Sequence, residues 1–369
     1  MSEKIAKTIC RYAQEKGHSH LHLEKKGATL ICACGRGENT DYLRLDRETE
    51  ISVTETFRRL VGAAENELFA NKRFKITDKQ NLISGRATLL PSREGEKLII
   101  ALSSETPVIK RLSALGANKE QQEIYRQGIK KRAGVIVIVS PEENGATSTY
   151  YSLLSLAAAG RSTYSLEAYP VNNLSGINTV NLQKYPSPTA ALERVARFDS
   201  ELIGIDTPLN PEDLKNAFRL AATGRLVILT LSAKDAASAV KILRRAGLSA
   251  AAIAEQLILI SAQKLFKRPC ARCLRSFDPG PEIKKIILSA WPSAYNFWPK
   301  KLFQNHGCKH CRQGNIASKT AIFEIMRFLP DGRLQSGYQP LIKEALTKAG
   351  LGLINIEEIA AWAQIRKKI

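Results

Sequence analysis

The chain has 369 residues, 44% hydrophobic and 24% charged, and its 55 Lys+Arg against 35 Asp+Glu give a formal net charge of +20. That length leaves room for two domains and a small appendage, and the even composition excludes a low-complexity chain. No apolar run approaches the roughly 20 residues a membrane span needs, and the opening MSEKIAKTICRYAQEK lacks a signal-peptide core, so the reading is a cytosolic protein.

The first stretch reads as an amphipathic helix, followed by short alternating strands: SHLHLE, ATLICACG, KITDKQ, GRATLLP and EKLIIALS. Residues 1–105 are therefore expected to form a small α+β domain, and 106–133 a linker carrying one helix. In HSHLHLE, His18, His20 and His22 fall on one strand face, either a metal-binding face or a half-exposed one. From residue 134 onward apolar strands alternate with helical segments, beginning with GVIVIVS and YYSLLSLAAAG. Later come ELIGID, RLVILTL and a final pair, AAAIAEQL and ILISAQ. Strands buried on both faces and joined by helices predict a mainly parallel α/β sheet over 134–369, closed by helices at the carboxy-terminal end.

Between GVIVIV and YYSLLSLAAA stands SPEENGATST, where strand, polar turn and helix start form the setting of a phosphate-binding loop. Against the pattern G-x-x-x-x-G-K-S/T, Gly145 and Thr147 are present, Ser140 replaces the first glycine and Ala146 occupies the lysine slot. The residues that would touch a phosphate are Asn144, Gly145, Ala146, Thr147 and Ser148, through backbone N–H groups, the helix start and hydroxyls. Glu142 and Glu143 oppose an anion if they point inward. A plain strand–helix turn with no ligand is the alternative, and Pro141 and Asn144 are ordinary turn residues.

Seven cysteines in a cytosolic chain point to metal or structural roles before disulfides. RPCARCL and NHGCKHCRQG supply two C-x-x-C pairs, Cys270 with Cys273 and Cys308 with Cys311, inside a module spanning 268–314. Four thiolates from two turns complete a tetrahedral shell suited to structural zinc, with no open position for chemistry. Two unrelated thiol pairs are the alternative. The spacer exceeds the roughly 15–20 residues of a zinc ribbon, so a helix-containing insert, PEIKKIILSAW, is expected between the knuckles. Cys10, Cys32 and Cys34 carry weaker signals.

The order of these motifs resembles the assembly ATPases of type II secretion and type IV pilus systems. The matching stretches are GHSHLHLE, RATLLPSREGEK, LSGIN, AATGRLVILTLSAKDAASAV, SAQKLFKRPCARC and GNIASKTAIFEI, in one order along nearly the whole chain. The separate amino-terminal module that many members carry ahead of this region is expected to be missing.

The resemblance implies a RecA-like P-loop domain behind the small α+β domain. It also implies a hexameric ring, homomeric or mixed with an active paralogous ATPase, working at an inner-membrane platform protein as a cytoplasmic, peripheral subunit. ATP and Mg²⁺ are the implied ligands, and Arg86 matches an arginine that reaches the nucleotide.

Several charged groups depart from the family pattern. The phosphate-loop lysine is Ala146, the Walker B glutamate position reads Asp206-Thr207, two histidines are Arg225 and Ser232, and an acidic pair reads Glu167-Ala168. The lysine neutralises the β/γ-phosphates and the Walker B acid holds Mg²⁺ or orients water, so their loss predicts a hydrolysis-deficient structural or regulatory subunit. A divergent active ATPase would rely on Glu167 and Asp206 with a cation supplied in trans by a neighbouring subunit, such as Arg86 or Arg225; a shifted loop would instead recruit a distant lysine, Lys131 or Lys234. A nucleic-acid-binding role would use the positive charge, although no aromatic-rich basic stretch or nucleic-acid motif accompanies it.

Overall fold

The computed structural model describes residues 2–16, 18, 20–26, 29–34, 41–45, 47–60, 70–78, 81–93, 95–103, 109–168, 170, 174–309, 311, 318–328 and 338–367. The chain divides into two compact units, Met1–Val108 and Ile109–Ile369.

The first unit contains α1 (Ser2–Glu15), β1 (His20–Lys26), β2 (Thr29–Cys34), β3 (Asp41–Leu45), α2 (Arg47–Leu60), β4 (Ala70–Asp78), β5 (Asn81–Ser92) and β6 (Gly95–Ser103). Its six strands form an antiparallel sheet in the order β3-β2-β1-β6-β5-β4. Ala6, Ile9, Cys10 and Ala13 recur at helical spacing on α1 and are buried, as are Ile83, Ala87 and Leu89 at strand spacing on β5. Cys10 is thus a core side chain. His18 does not continue the strand face: its Nε2 lies 3.0 Å from Asp41 Oδ2, and this bond holds the Asp41 carboxyl below its usual range. His20 is buried and stacks on His22 with ring centroids 6.4 Å apart. The side chains of Cys32 and Cys34 lie outside the described residues.

The second unit begins with α3 (Leu112–Leu115) and α4 (Lys119–Ile129), then β7 (Gly134–Ser140), α5 (Ala146–Ala157), β8 (Thr163–Glu167), β9 (Ile177–Asn181) and α6 (Pro188–Val195). It continues with β10 (Leu202–Asp206), α7 (Pro211–Ala222), β11 (Leu226–Ser232), α8 (Ala236–Arg245), α9 (Ala250–Gln256) and β12 (Leu257–Lys267). The last elements are β13 (Leu274–Phe277), α10 (Gly280–Ala290), β14 (Leu302–Asn305), β15 (Lys319–Arg327), α11 (Leu341–Gly350) and α12 (Ile356–Lys367).

Seven strands form one sheet in the order β15-β12-β7-β11-β10-β8-β9, parallel except for the β12–β15 pair. The uninterrupted apolar run of β7 is explained by its central position. Val135, Val137 and Val139 enter one core with α6, α7 and α8, while Ile136 and Ile138 enter the opposite core with α4 and α5. The stretch 109–133, read from sequence as part of a linker, belongs to this second core, where Leu112, Ala117, Tyr125 and Ile129 are buried. Polarity had marked it as a connector, but only one stripe of α4 needed to be apolar for it to pack.

Buried charge pins the carboxy-terminal helices. Glu324 on β15 accepts the backbone N–H of Ala236 at 3.0 Å and of Leu341 at 2.9 Å, the first residues of α8 and α11. Lys348 on α11 donates to the carbonyls of Gly116 and Ala321 and pairs with Glu344 at 3.2 Å.

Candidate functional site

Ser140, Glu167, Asp206 and Ser232 end neighbouring parallel strands, so the sheet brings them to one edge at the start of α5. Ligands of such sheets bind there. The loop 141–145 turns through two left-handed residues, Glu143 with φ 60° and Gly145 with φ 82°. For Gly145 that conformation is free of steric cost, whereas for Glu143 it is strained. Glu142 and Glu143 are exposed. In this unit α4 and α6 to α9 each have an N-cap side chain bonded to their first turn; α5 begins at Gly145 without one.

Asn144 is tied down on several sides, its backbone N–H donating to the Pro141 carbonyl at 3.3 Å. Its backbone carbonyl accepts from Gln263 Nε2 at 2.7 Å, its side-chain oxygen accepts from the Leu265 N–H at 3.0 Å, and its Nδ2 donates to the Glu142 carbonyl at 2.9 Å. The sheet explains the Leu265 bond. The β12–β7 ladder runs out at Ala262 opposite Val139, and the Asn144 side chain supplies the next acceptor after β7 has ended.

Glu167 is buried at 2% exposure, with Tyr151 donating to its Oε2 and Ser165 to its Oε1, both at 2.5 Å. The Tyr150 and Ser165 hydroxyls meet at 2.7 Å. Tyr150 packs against Gly204, where a Cβ would lie 2.2 Å from the Tyr150 hydroxyl. Burial first, then the neighbouring Glu167 carboxylate, pushes the Tyr150 phenol well above its usual range. Asp206, in register with Glu167, accepts a bond from Thr230 Oγ1 at 2.8 Å. The two acids expected to serve a motor are thus engaged with protein hydroxyls.

Within the second unit the candidate cations do not gather at the loop. Lys131 precedes β7 and so stands a strand length, about 20 Å, from the loop. Arg225 precedes β11 at that same far edge, and its guanidinium bonds Ser200 Oγ at 3.2 Å, Thr223 Oγ1 at 2.6 Å and the Ala196 carbonyl at 3.0 Å. Lys234 is at the near edge and exposed, just after Ala233, whose N–H bonds the Ser140 carbonyl at 3.3 Å. Arg86 is half-buried on β5 of the first unit, paired in register with Arg73 and Ala101.

The four cysteines do converge. All four Sγ atoms lie within 4.8 Å of one another, the one group of three or more His, Cys, Asp or Glu suited to a metal among the described residues. Cys270–Cys308, Cys273–Cys311 and Cys308–Cys311 are separated by 3.9, 3.7 and 3.7 Å. A tetrahedron with metal–sulfur bonds of about 2.3 Å has edges of roughly 3.8 Å, so the set fits zinc. The Cys308 N–H donates to Cys311 Sγ at 3.2 Å, which steadies one ligand. Desolvation, with the neighbouring thiols, pushes Cys273 up to about 11, so ligation must expel a proton. The β13–β14 hairpin carries the knuckles, and α10 occupies the spacer as the insert was expected to.

With this α/β scaffold, loop and metal cluster described, the comparisons assign the class. The model of the family described as "Type II/IV secretion system protein" matches residues 3–341, and the chain belongs to that family. It is 28% identical over 300 residues to the type IV pilus assembly ATPase PilB of Acinetobacter baylyi, covering 76% of this chain and 52% of the relative. It is 24% identical over 380 residues to the type II secretion system ATPase E of Vibrio cholerae, covering 96% of this chain and 74% of that one. The chain spans about half the length of the pilus-assembly relatives. Among solved structures, the ATPase DotB of Legionella pneumophila superposes with a TM-score of 0.65 at 12% identity over 96% of this chain and 94% of its own. The pilus retraction motor PilT with bound ADP gives 0.63 at 17% over 96% and 95%. These establish the fold of a P-loop ATPase. Among the described residues no helix is long and apolar enough to cross a membrane.

Gln263, Tyr150 with Gly204, and Glu324 shape this region without having been singled out from sequence. The signals available were a glutamine inside an apolar strand and a glycine inside LIGID.

Proposed function

We propose that the chain is a hydrolysis-deficient subunit of a type II secretion or type IV pilus machine, structural or regulatory in role. The observation that carries this reading is the state of the loop edge. Ala146 stands where an ammonium would meet the terminal phosphates, and Glu167 is sealed by the Tyr151 and Ser165 hydroxyls. Gly145 and Thr147 remain from the phosphate-loop pattern, so any Mg-ATP binding is weak and uncoupled from turnover. The zinc module is structural, its four thiolates leaving no open coordination position. Its kinship supports assembly as a ring of six, homomeric or mixed with an active paralogous ATPase, on an inner-membrane platform protein at the cytoplasmic face.

Calorimetric titration with Mg-ATP, with phosphate release followed in the same sample and the oligomeric state recorded, tests the reading. The expected result is weak or undetectable binding and no turnover above background in any oligomer. Turnover at motor-like rates that Glu167→Gln abolishes would overturn it in favour of a divergent ATPase.

A further inference from the structure

The expectation that no aromatic-rich basic stretch accompanies the positive charge fails inside the cysteine module. WPSAYNFWPKK, residues 291–301, holds four aromatic residues and two lysines within eleven positions. Over 268–314 there are nine Lys+Arg against two Asp+Glu. Arg268, Arg272, Lys309 and Arg312 flank the cysteines in the chain and offset the double negative charge of a four-thiolate zinc centre. Arg275, Lys284, Lys285, Lys300 and Lys301 lie in the spacer and are surplus to that role, so their field is directed at something outside the module.

The fold gathers part of the spacer onto one surface. Lys284 on α10 places its ammonium 5.5 Å from the centre of the Tyr295 ring and 5.4 Å from that of the Trp298 ring. Lys343 on α11 stands 5.3 Å over the Phe297 ring. Tyr295 is 67% exposed, so most of its ring stays open beside the ammonium, and Lys300 and Lys301 are exposed just beyond Trp298. A hollow of about 230 Å³ opens between Trp298, Lys284 and the run Asp278-Pro279-Gly280-Pro281. Asp278 is directed at the start of α10, its Oδ1 accepting the Gly280 N–H at 3.0 Å. The hollow is therefore basic on its Lys284 side, with flat rings within reach.

We propose that this spacer is a docking surface for single-stranded nucleic acid, with bases stacked on Tyr295 and Trp298 and phosphates met by Lys284, Lys300 and Lys301. A ring beside an ammonium suits a base joined to its phosphate: every base has a face to stack, and the backbone supplies the anion. A bilayer surface calls for protruding Leu, Phe or Trp, whereas Tyr295 is the one large apolar side chain exposed among the described residues of the module. An acidic peptide would engage the lysines and leave the open ring and the hollow unused. The surface is separate from the loop after β7, so the proposal does not depend on whether ATP is hydrolysed.

The test titrates the full, zinc-loaded chain into a fluorescein-labelled oligothymidylate of about 15 nucleotides and follows anisotropy. Binding in the micromolar range is expected at about 50 mM salt, weakening roughly fiftyfold by about 200 mM if four phosphates are met. Tyr295→Ala should lose about tenfold and Tyr295→Phe nothing, because stacking needs the ring and not the hydroxyl. Lys300→Ala with Lys301→Ala should weaken binding about tenfold and reduce the salt slope by about 1.4. Arg244→Ala with Arg245→Ala removes two exposed charges from α8 and should stay within about twofold of native. Native zinc content and melting temperature in each variant show that the fold is kept. Absent binding, a flat salt response, or an equal loss at Tyr295→Phe overturns the proposal. An equal loss in the α8 control overturns it in favour of diffuse charge. Tighter binding to phosphatidylglycerol vesicles or to polyglutamate, abolished by the same variants, overturns it in favour of a membrane or an acidic protein.

Discussion

The cysteine module and the loop after β7 are both short turn-based sites, and they combine shape and chemistry in opposite ways. In the module the reactive groups are the core: Cys270 and Cys311 are each 1% exposed, and the sulfurs are what the two knuckles pack around. Removing a ligand there removes the structure. In the loop the shape comes from groups that do no chemistry, namely an apolar strand buried on both faces, a left-handed Gly145 and the start of α5. Charged side chains can leave such a scaffold without disturbing it. The difference explains how one chain can hold four converging thiols and also a turn with Ala146 where the pattern G-x-x-x-x-G-K-S/T has lysine.

Breaking the module should have the largest effect. Cys311→Ser, or exhaustive chelation, is expected to remove one zinc per chain and lower the melting temperature by about 10 °C, as follows if several kcal/mol are lost from a domain of this size. Metal analysis beside calorimetry checks it; a metal-free variant that melts like the native chain would mean that the knuckles do not depend on their ion.

Next comes the scaffold under the loop. Gly204→Ala places a methyl group 2.2 Å from the Tyr150 hydroxyl and should cost about 1–3 kcal/mol by denaturant titration. Combining it with Tyr150→Phe should return part of that loss. Additive costs in the double variant would show that the close approach is not the cause.

A smaller change of opposite sign is expected at Glu143. Replacing it by glycine relieves the left-handed strain and should raise stability by roughly 1 kcal/mol, read as a shift of a few degrees in the melting temperature. A fall in stability would argue that the carboxylate itself supports the turn.

The smallest effect concerns pH. Because the Cys273 thiol lies near 11 without metal and must be deprotonated to ligate, protons compete with zinc and affinity falls as pH falls. A fixed chelator concentration should therefore strip more zinc at about pH 6 than at about pH 8. Equal release would remove thiol protonation from the account.

Much of this architecture was legible in the sequence because its signals are local. GVIVIV announces a doubly buried strand, and the two C-x-x-C pairs announce their ligand set. What escaped depends on residues distant in the chain. Tyr125 turns the 109–133 stretch into core only because its ring meets Phe323, and its hydroxyl lies 2.5 Å from Ser261. Glu167 is recognisable as an acid at a strand end, but its sealing requires Tyr151 to arrive from α5. The role of Gln263 at the loop exists only once β12 lies beside β7. Periodicity reports which face of an element is apolar, and it is silent about which polar groups will meet across the sheet.

Glu324 has a mechanical consequence of its own. One carboxylate meets the first residues of two helices, each oxygen holding a different one, so a displacement of Glu324 would disturb the starts of α8 and α11 together. Hydrogen bonds tolerate only a few tenths of an ångström of such travel. The starts of both helices therefore depend on one buried side chain, and losing Glu324 would leave two backbone donors without their acceptor at once.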